Sequence, residues 1–339
     1  MDDHVCETIG RPDLIDLGGG LVCLRFESMK VASATAAVRH LLETGAVEPG
    51  DTLMDSSSGI YAYGLALACH RYGLRCHIVG STTVDEGLRV QLAVLGATLE
   101  QVPPSDSLRF DQSRRVRRIR ELLREHPDYH WMRQYHDSVH YLGYRAVADQ
   151  IAKELDPAPL TVVGGVGSGA STGALATYLR ERAPDTALVG VQPFGSVTFG
   201  SDAVADRDII IAGIGSSIPF GNVDHTLYDV VHWLGFEAAL AGSVDLLRRH
   251  AVFAGLSSGA AYLVARWEAE RSPERRTVFV AADTGHRYVD TVFARHAEAA
   301  APEDLGPAAV TDLSRLSRPW SRMEWGRAAP PPQAVHTEG

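Results

Sequence analysis

Lysine is almost absent from this 339-residue chain: of its 32 Lys and Arg residues, only Lys30 and Lys153 are lysine. Arginine serves equally well on a solvated face. Its guanidinium keeps its proton, however, and forms no imine with a carbonyl compound, whereas a lysine amine that has lost its proton does. The stretch Phe26-Glu27-Ser28-Met29-Lys30-Val31-Ala32-Ser33 is therefore the first candidate for covalent chemistry. It follows the apolar run Leu21-Val22-Cys23-Leu24, which reads as a buried strand, and precedes an Ala-rich segment over 31–42, which reads as a helix. A solvent-reaching lysine at a helix start is the plainer reading of that stretch alone, and the rest of the chain decides against it.

The second candidate is an anion cradle. Leu160-Thr161-Val162-Val163 reads as a buried strand, and Gly164-Gly165-Val166-Gly167-Ser168-Gly169-Ala170-Ser171-Thr172-Gly173 leads into a helix over 174–182. Glycines permit close backbone approach, exposed N–H groups and the helix dipole favour a phosphate, and the hydroxyls add donors. No Gly-Lys-Ser/Thr follows, so this is not a P-loop. The acidic partner of a dinucleotide fingerprint is not clearly placed either.

The elements that position these residues repeat one unit of strand, polar glycine loop and helix. Thr52-Leu53-Met54-Asp55 precedes Ser56-Ser57-Ser58-Gly59 and a helix over 61–72; a strand at 76–79 precedes a helix over 85–95. A strand at 188–191 ends in Gln192-Pro193, and Gly213-Ile214-Gly215 opens a polar loop. The stretch 252–255 leads into Leu256-Ser257-Ser258-Gly259-Ala260-Ala261, and a strand at 277–281 closes with Asp283-Thr284-Gly285-His286-Arg287-Tyr288. The pattern predicts an α/β fold with mostly parallel sheets and a ligand at the carboxyl ends of the strands.

Composition narrows the function. A formal net charge of −10 argues against a nucleic-acid binder, and 45% hydrophobic residues suffice for one or two cores. Cys6, Cys23, Cys69 and Cys76 form neither zinc spacing nor a disulfide framework. With no secretory signal pattern, this predicts a cytoplasmic protein, and no apolar run is long enough for a membrane span. The segment 109–125 reads as an amphipathic helix with an arginine face, solvated or steering an anionic substrate. His136 and His140 have the spacing of a metal pair but lack a third ligand, so no metal site is expected. From Glu298 the composition turns to Ala, Pro and Glu, ending in Pro330-Pro331-Pro332. This predicts a partly disordered tail over 298–339, with Trp320 and Trp325 as possible anchors.

Taken in order, the segments resemble the cysteine synthase (O-acetylserine sulfhydrylase) family of fold-type-II pyridoxal-phosphate enzymes over about residues 5–297. Thr8-Ile9-Gly10 is similar to the family's opening motif, and Ser28-Met29-Lys30 to its Ser-x-Lys, which implies that Lys30 is the cofactor lysine. Ser57-Ser58-Gly59 followed by Gly64-Leu65-Ala66 resembles the substrate-carboxylate loop, and Gln134-Tyr135 the Gln-Phe pair beside it. Gly167-Ser168-Gly169-Ala170-Ser171 resembles the phosphate loop, extended by Thr172. Gly213-Ile214-Gly215 resembles the pocket-lining segment, and 254–261 the family's Ala-Gly-Ile-Ser-Ser-Gly-Ala-Ala. Asp283-Thr284-Gly285 then implies Thr284, or its neighbour Asp283, at the pyridine nitrogen; a hydroxyl there restrains the electron sink and suits β-replacement.

The resemblance implies a tryptophan synthase β-like fold of two domains. A smaller mobile domain would span 38–145 and a larger cofactor domain 1–37 plus 146–297, in a homodimer. It implies β-replacement on an O-acetyl- or O-phospho-L-serine through an aminoacrylate, with a small nucleophile as second substrate, giving cysteine or another β-substituted alanine. The alternatives are a β-eliminating lyase or dehydratase of the same fold, and a non-catalytic cofactor-binding relative. There are departures too. Ile60 stands where the family has a cofactor-contacting asparagine, Val31-Ala32 replaces Asp-Arg, and the phosphate loop is one residue shorter before Thr172-Gly173. They imply a specialised member.

Overall fold

The computed structural model describes residues 1–103, 108–156, 158–206, 208 and 213–329, without the side chains of 108–111. In chain order the strands are β1 (Asp13–Gly18), β2 (Leu21–Arg25), β3 (Thr52–Ser56), β4 (Arg75–Gly80), β5 (Thr98–Gln101), β6 (His130–Trp131), β7 (Leu160–Gly165), β8 (Ala187–Pro193), β9 (Val230–Leu234), β10 (Arg276–Ala281), β11 (Ala308–Ala309) and β12 (Trp320–Glu324). The helices are α1 (Val5–Ile9), α2 (Met29–Glu43), α3 (Ile60–Tyr72), α4 (Glu86–Val94), α5 (Leu108–Glu125), α6 (Arg145–Leu155), α7 (Ala170–Arg180), α8 (Phe236–His250) and α9 (Leu256–Arg271).

The strands form two sheets. Eight lie in the order β1-β2-β10-β7-β8-β9-β12-β11, and four in the order β5-β4-β3-β6. Strands β2, β10, β7, β8 and β9 run parallel, as do all four of the smaller sheet. β1 and β12 add antiparallel strands at the flanks of the parallel block. The fold is α/β, as the sequence pattern predicts.

Parallel strands covered on both faces must be apolar at successive positions, and the large sheet shows why the runs were continuous. Leu24, Val162 and Val278 point to one core with α6 and α7. Their neighbours Cys23, Val163 and Phe279 point to the other with α8 and α9. The small sheet repeats this: Leu53 and Ile78 face α3 and α4, while Met54 and Val79 face the buried Ile119 and Leu122 of α5.

One expectation is corrected. The phosphate-loop helix begins at Ala170 rather than 174, because Gly169 at φ +80° turns the chain directly from loop into helix. In the segment from 298, Trp320 and Trp325, the expected anchors, lie in or next to β12. β12 pairs with β9 and covers its edge. Trp320 and Trp325 are buried, and Trp320 Nε1 donates to His232 Nδ1 at 2.9 Å. The proline run and residues 330–339 lie outside the described residues. No described helix is long and apolar enough to cross a membrane.

Candidate active site

Lys30 is the second residue of α2. The chain reaches it from β2 along the exit of β10: Phe26 N–H donates to Ala281 O at 2.9 Å, Met29 N–H to Ala282 O at 2.8 Å, and Ser28 bridges Asp283. Three backbones then fix the first turn of α2. A Cβ on Gly64 of α3 would stand 2.8 Å from Lys30 O, one on Gly143 would stand 2.4 Å from Ala32 O, and one on Gly10 would stand 3.1 Å from Ala32 N. Glycine at these places lets the neighbours close on the lysine's own backbone.

The side chain crosses to the phosphate loop, where Lys30 Nζ donates to Ser168 Oγ at 3.0 Å. Burial disfavours the ammonium and brings its pKa from 10.5 down to about 8. The amine can thus lose its proton near neutrality and act as nucleophile or base.

The loop around Ser168 is packed from both sides. A Cβ on Gly167 would stand 2.3 Å from Gly213 O, and one on Gly169 2.7 Å from Asn222 O. Gly215 N–H donates to Val166 O at 2.8 Å. Gly169 caps α7, so the N–H groups of Ala170, Ser171 and Thr172 lie at the helix's positive end, that of Ala170 donating to Ser168 Oγ at 3.5 Å. The Thr172 hydroxyl is shared with Tyr228 Oη at 2.7 Å, which leaves Thr172 its backbone N–H for an anion.

Thr284 lies one residue past Asp283 at the end of β10. It bridges Ala254, and its hydroxyl meets His286 Nδ1 at 3.1 Å. Asp283 is fully buried, and burial pushes its carboxyl up to about 6; Tyr288 Oη donates to Oδ2 at 3.0 Å, while Oδ1 has no partner. Ser28 Oγ is likewise buried without a partner.

The predicted carboxylate loop closes the other side. Ser57 Oγ accepts from Gly59 N–H and Ala62 N–H at 3.3 and 3.1 Å, which fixes the start of α3. Gly59 is the cap of that helix and Ile60 its first residue, half-buried. Ser58 Oγ lies 2.9 Å from Ser81 Oγ and accepts from Arg115 Nη1 at 3.3 Å. Gln134 Nε2 donates to Ser56 O at 2.7 Å, and its backbone N–H to the buried Asp55 carboxylate at 2.9 Å. Burial raises the Asp55 pKa to about 6, against the donors from Gln134, Ser56 and Trp131.

Lys30, Ser168, Gly167 and Gly213 are therefore gathered on one side, with Ser57, Ser58, Gly59, Ile60 and Gln134 on the other. Asn222 joins the two halves: its Nδ2 donates to Gln134 O and Asp137 O, each at 3.0 Å, while its carbonyl lies against Gly169. Asn222, Arg115 and Tyr228 were not among the residues singled out from sequence. His136 and His140 serve elsewhere, His136 Nδ1 accepting from Gly221 N–H at 3.2 Å and His140 Nε2 meeting Met132 O at 2.9 Å.

A buried amine facing a glycine-rich helix start, beside a buried hydroxyl and one buried carboxyl oxygen that have no partner, fits a phosphorylated aldehyde. The model for pyridoxal-phosphate-dependent enzymes matches residues 23–283, which takes in Lys30, the loop of 164–173 and Asp283. The chain belongs to that family. Two N-(2-amino-2-carboxyethyl)-L-glutamate synthases are similar to it. That of Ralstonia nicotianae is 33% identical over 78% of both chains, and that of Cupriavidus metallidurans is 34% identical over 78% of this chain and 79% of its own. The cysteine synthase of Staphylococcus aureus is 26% identical, over 86% and 90%. Among solved structures, the O-acetylserine-dependent cystathionine beta-synthase of Helicobacter pylori superposes with a TM-score of 0.77 at 22% identity, covering 86% of this chain and 98% of that one.

The protein is thus a fold-type-II pyridoxal-phosphate enzyme of the β-replacing, cysteine-synthase-like kind. When bound, pyridoxal phosphate supplies an aldehyde to the lysine amine and an electron sink for bonds at the amino-acid α-carbon.

Proposed function

We propose that this enzyme replaces the oxygen substituent of an O-activated L-serine with the amino group of a second, dicarboxylic amino acid, in the manner of a glutamate. A C–N bond forms at the serine β-carbon, the C–O bond breaks, the ester group leaves as its anion, and the attacking amine gives up one proton. The observation that carries this reading is the higher identity to the two N-(2-amino-2-carboxyethyl)-L-glutamate synthases, 33% and 34%, against 26% for the cysteine synthase. Arg115 supports it, because it brings a guanidinium to the loop through Ser58 Oγ and a second carboxylate or a departing anion needs such a charge.

Lys30 holds the cofactor and, with its proton affinity lowered by burial, takes the α-proton at Nζ and later returns it. The N–H groups of Gly167 to Thr172 and the hydroxyls of Ser168 and Ser171 hold the phosphate, Gly213 lines the pocket, and Thr284 serves the ring nitrogen. Ser57, Ser58, Gly59, Ile60 and Gln134 hold the α-carboxylate at the start of α3. Ile60 offers only its backbone there. The four-stranded unit keeps water away from the site while the nucleophile arrives.

The test is product identification by mass spectrometry. O-Acetyl-L-serine and O-phospho-L-serine are each supplied with L-glutamate or with sulfide, to wild type and to Lys30→Ala. The expected product is the glutamate adduct, from wild type only. Cysteine formation without the adduct would reject the amine nucleophile, and keto acid from either ester whatever the nucleophile would favour the eliminating alternative.

A further inference from the structure

Among the described residues, the two halves of the site are tied by Asn222, by the hydrogen bonds of Ser217 N–H and Oγ to Gln112 Oε1 at 2.8 and 2.6 Å, and by a half-buried ion pair. Arg287 follows Thr284 in the turn after β10, whereas Asp85 caps α4 in the four-stranded unit. Arg287 Nε and Nη2 both reach Asp85 Oδ2, at 2.9 and 2.5 Å, across 202 positions of sequence. Asp85 Oδ1 at the same time accepts from Leu88 N–H at 2.9 Å. Arg287 Nη1 also passes close to the substrate loop, 3.7 Å from where a Cβ on Gly59 would stand.

The Asn222 tie and the ion pair differ in kind. The Asn222 side is buried: besides its side-chain bonds, its N–H donates to Tyr135 O at 2.9 Å, and the Tyr135 ring stacks on Phe220 at 4.0 Å. The side chains of the ion pair keep 28% and 39% of their exposure, so water and salt can compete for it. Of these ties the ion pair is the one that water and salt can loosen.

We propose that the Arg287–Asp85 pair is a clasp that holds the four-stranded unit over the site, and that it decides how much substrate is carried to the replaced product and how much is lost to water. This rests on the β-replacement reading above. When water wins, one water is consumed per O-activated serine, and a three-carbon keto acid, ammonium and the ester's anion are released. No oxidant or reductant is needed. Arg287 and Asp85 are positioning residues here, because they act through the lie of the Gly59 loop.

Asp85→Asn is the informative variant, since asparagine keeps the acceptor that caps α4 while removing the charge that Arg287 grips. Arg287→Gln removes the other partner. With holoenzyme, the ester and L-glutamate, the keto-acid share of turnovers is expected to rise roughly two- to five-fold in either variant, the range of a half-exposed ion pair. High salt should raise the share in wild type and leave the variants unchanged. Hydrogen exchange without substrate gives a readout independent of activity: segments 57–64 and 81–88 should lose protection in both variants. Unchanged partition in variants that turn over overturns the clasp, whether or not exchange protection falls. Loss of all turnover in wild type overturns the β-replacement reading, and the clasp's role in partition with it.

Discussion

Gly143→Ala tests whether the first turn of α2 is held as tightly as the packing indicates. The added methyl would stand 2.4 Å from Ala32 O, 2.6 Å from Ala32 C and 2.8 Å from Ser33 Cα. All three are backbone atoms, so no side-chain rotation relieves the contact. Ordinary carbon contacts lie at about 3.5–4.0 Å, so relief needs a separation on the order of 1 Å between the turn at Ser138–Tyr144 and α2. The helix has no free direction in which to yield, because Gly64 and Gly10 already abut it. Overpacking of this kind costs about 1–3 kcal/mol. For a chain of this size that lowers the melting temperature on the order of 1–4 °C. Because Lys30 lies in the same turn, its 3.0 Å contact with Ser168 Oγ should lengthen, and cofactor affinity should fall with stability. Calorimetry and a cofactor titration measure the two, with Gly306→Ala as control, where an added methyl meets nothing within 4 Å. If Gly143→Ala matches that control in both readouts, the bracketing of α2 does not position the lysine.

Other consequences follow from the same structure. The Lys30 amine, with a pKa of about 8 instead of 10.5, should take up pyridoxal phosphate faster as pH rises, gaining roughly tenfold between pH 7 and 9 and then levelling off. A stopped-flow series checks this, and a rate still climbing steeply above pH 9 would mean an unshifted amine. Since the unfolded chain holds that proton up to 10.5 and the folded one releases it at about 8, the cofactor-free protein should also gain stability as pH rises through that window, measurable by denaturant titration. Asn222→Ala strands the carbonyls of Gln134 and Asp137, costing about 1–3 kcal/mol, and should raise KM for the serine ester more than it lowers kcat. Trp320→Ala empties a fully buried position and removes the donor to His232, so a loss of about 3–5 kcal/mol is expected in urea unfolding; a change under 1 kcal/mol would show that β12 is dispensable.

Legibility followed the length of the signal. β2, β7 and β10 announced themselves because strands covered on both faces need apolar residues at every position, and the glycine loops after them marked where a ligand could approach. Lys30 stood out by rarity, which is chemical information independent of fold. β12 did not, because Trp320-Ser321-Arg322-Met323-Glu324 is short, half polar and set among prolines. Its strand character comes from the open edge of β9, which no local pattern encodes. Arg115 was hidden for the opposite reason, as one of seven arginines on the segment 109–125. Only the docking of α5 distinguishes it, turning this one inward to Ser58 while Arg118 spends its charge on Glu100, Glu121 and Glu125.

The departures from the family pattern make sense as parts of one packing arrangement. Val31 is fully buried with Cys6, Ile9 and Leu67, so an apolar residue after the lysine seats α2 against α1 and α3, where a charged pair would need partners. Ile60 begins α3 without a side-chain donor, so in the proposed reading any anion held there would rest on backbone N–H groups and on the neighbouring hydroxyls of Ser57 and Ser58. Ser58 is in turn fixed by Ser81 and Arg115, and Asp85 begins the next helix under the grip of Arg287. The loss of one polar side chain at the ring is thus accompanied by a charged lattice one layer out.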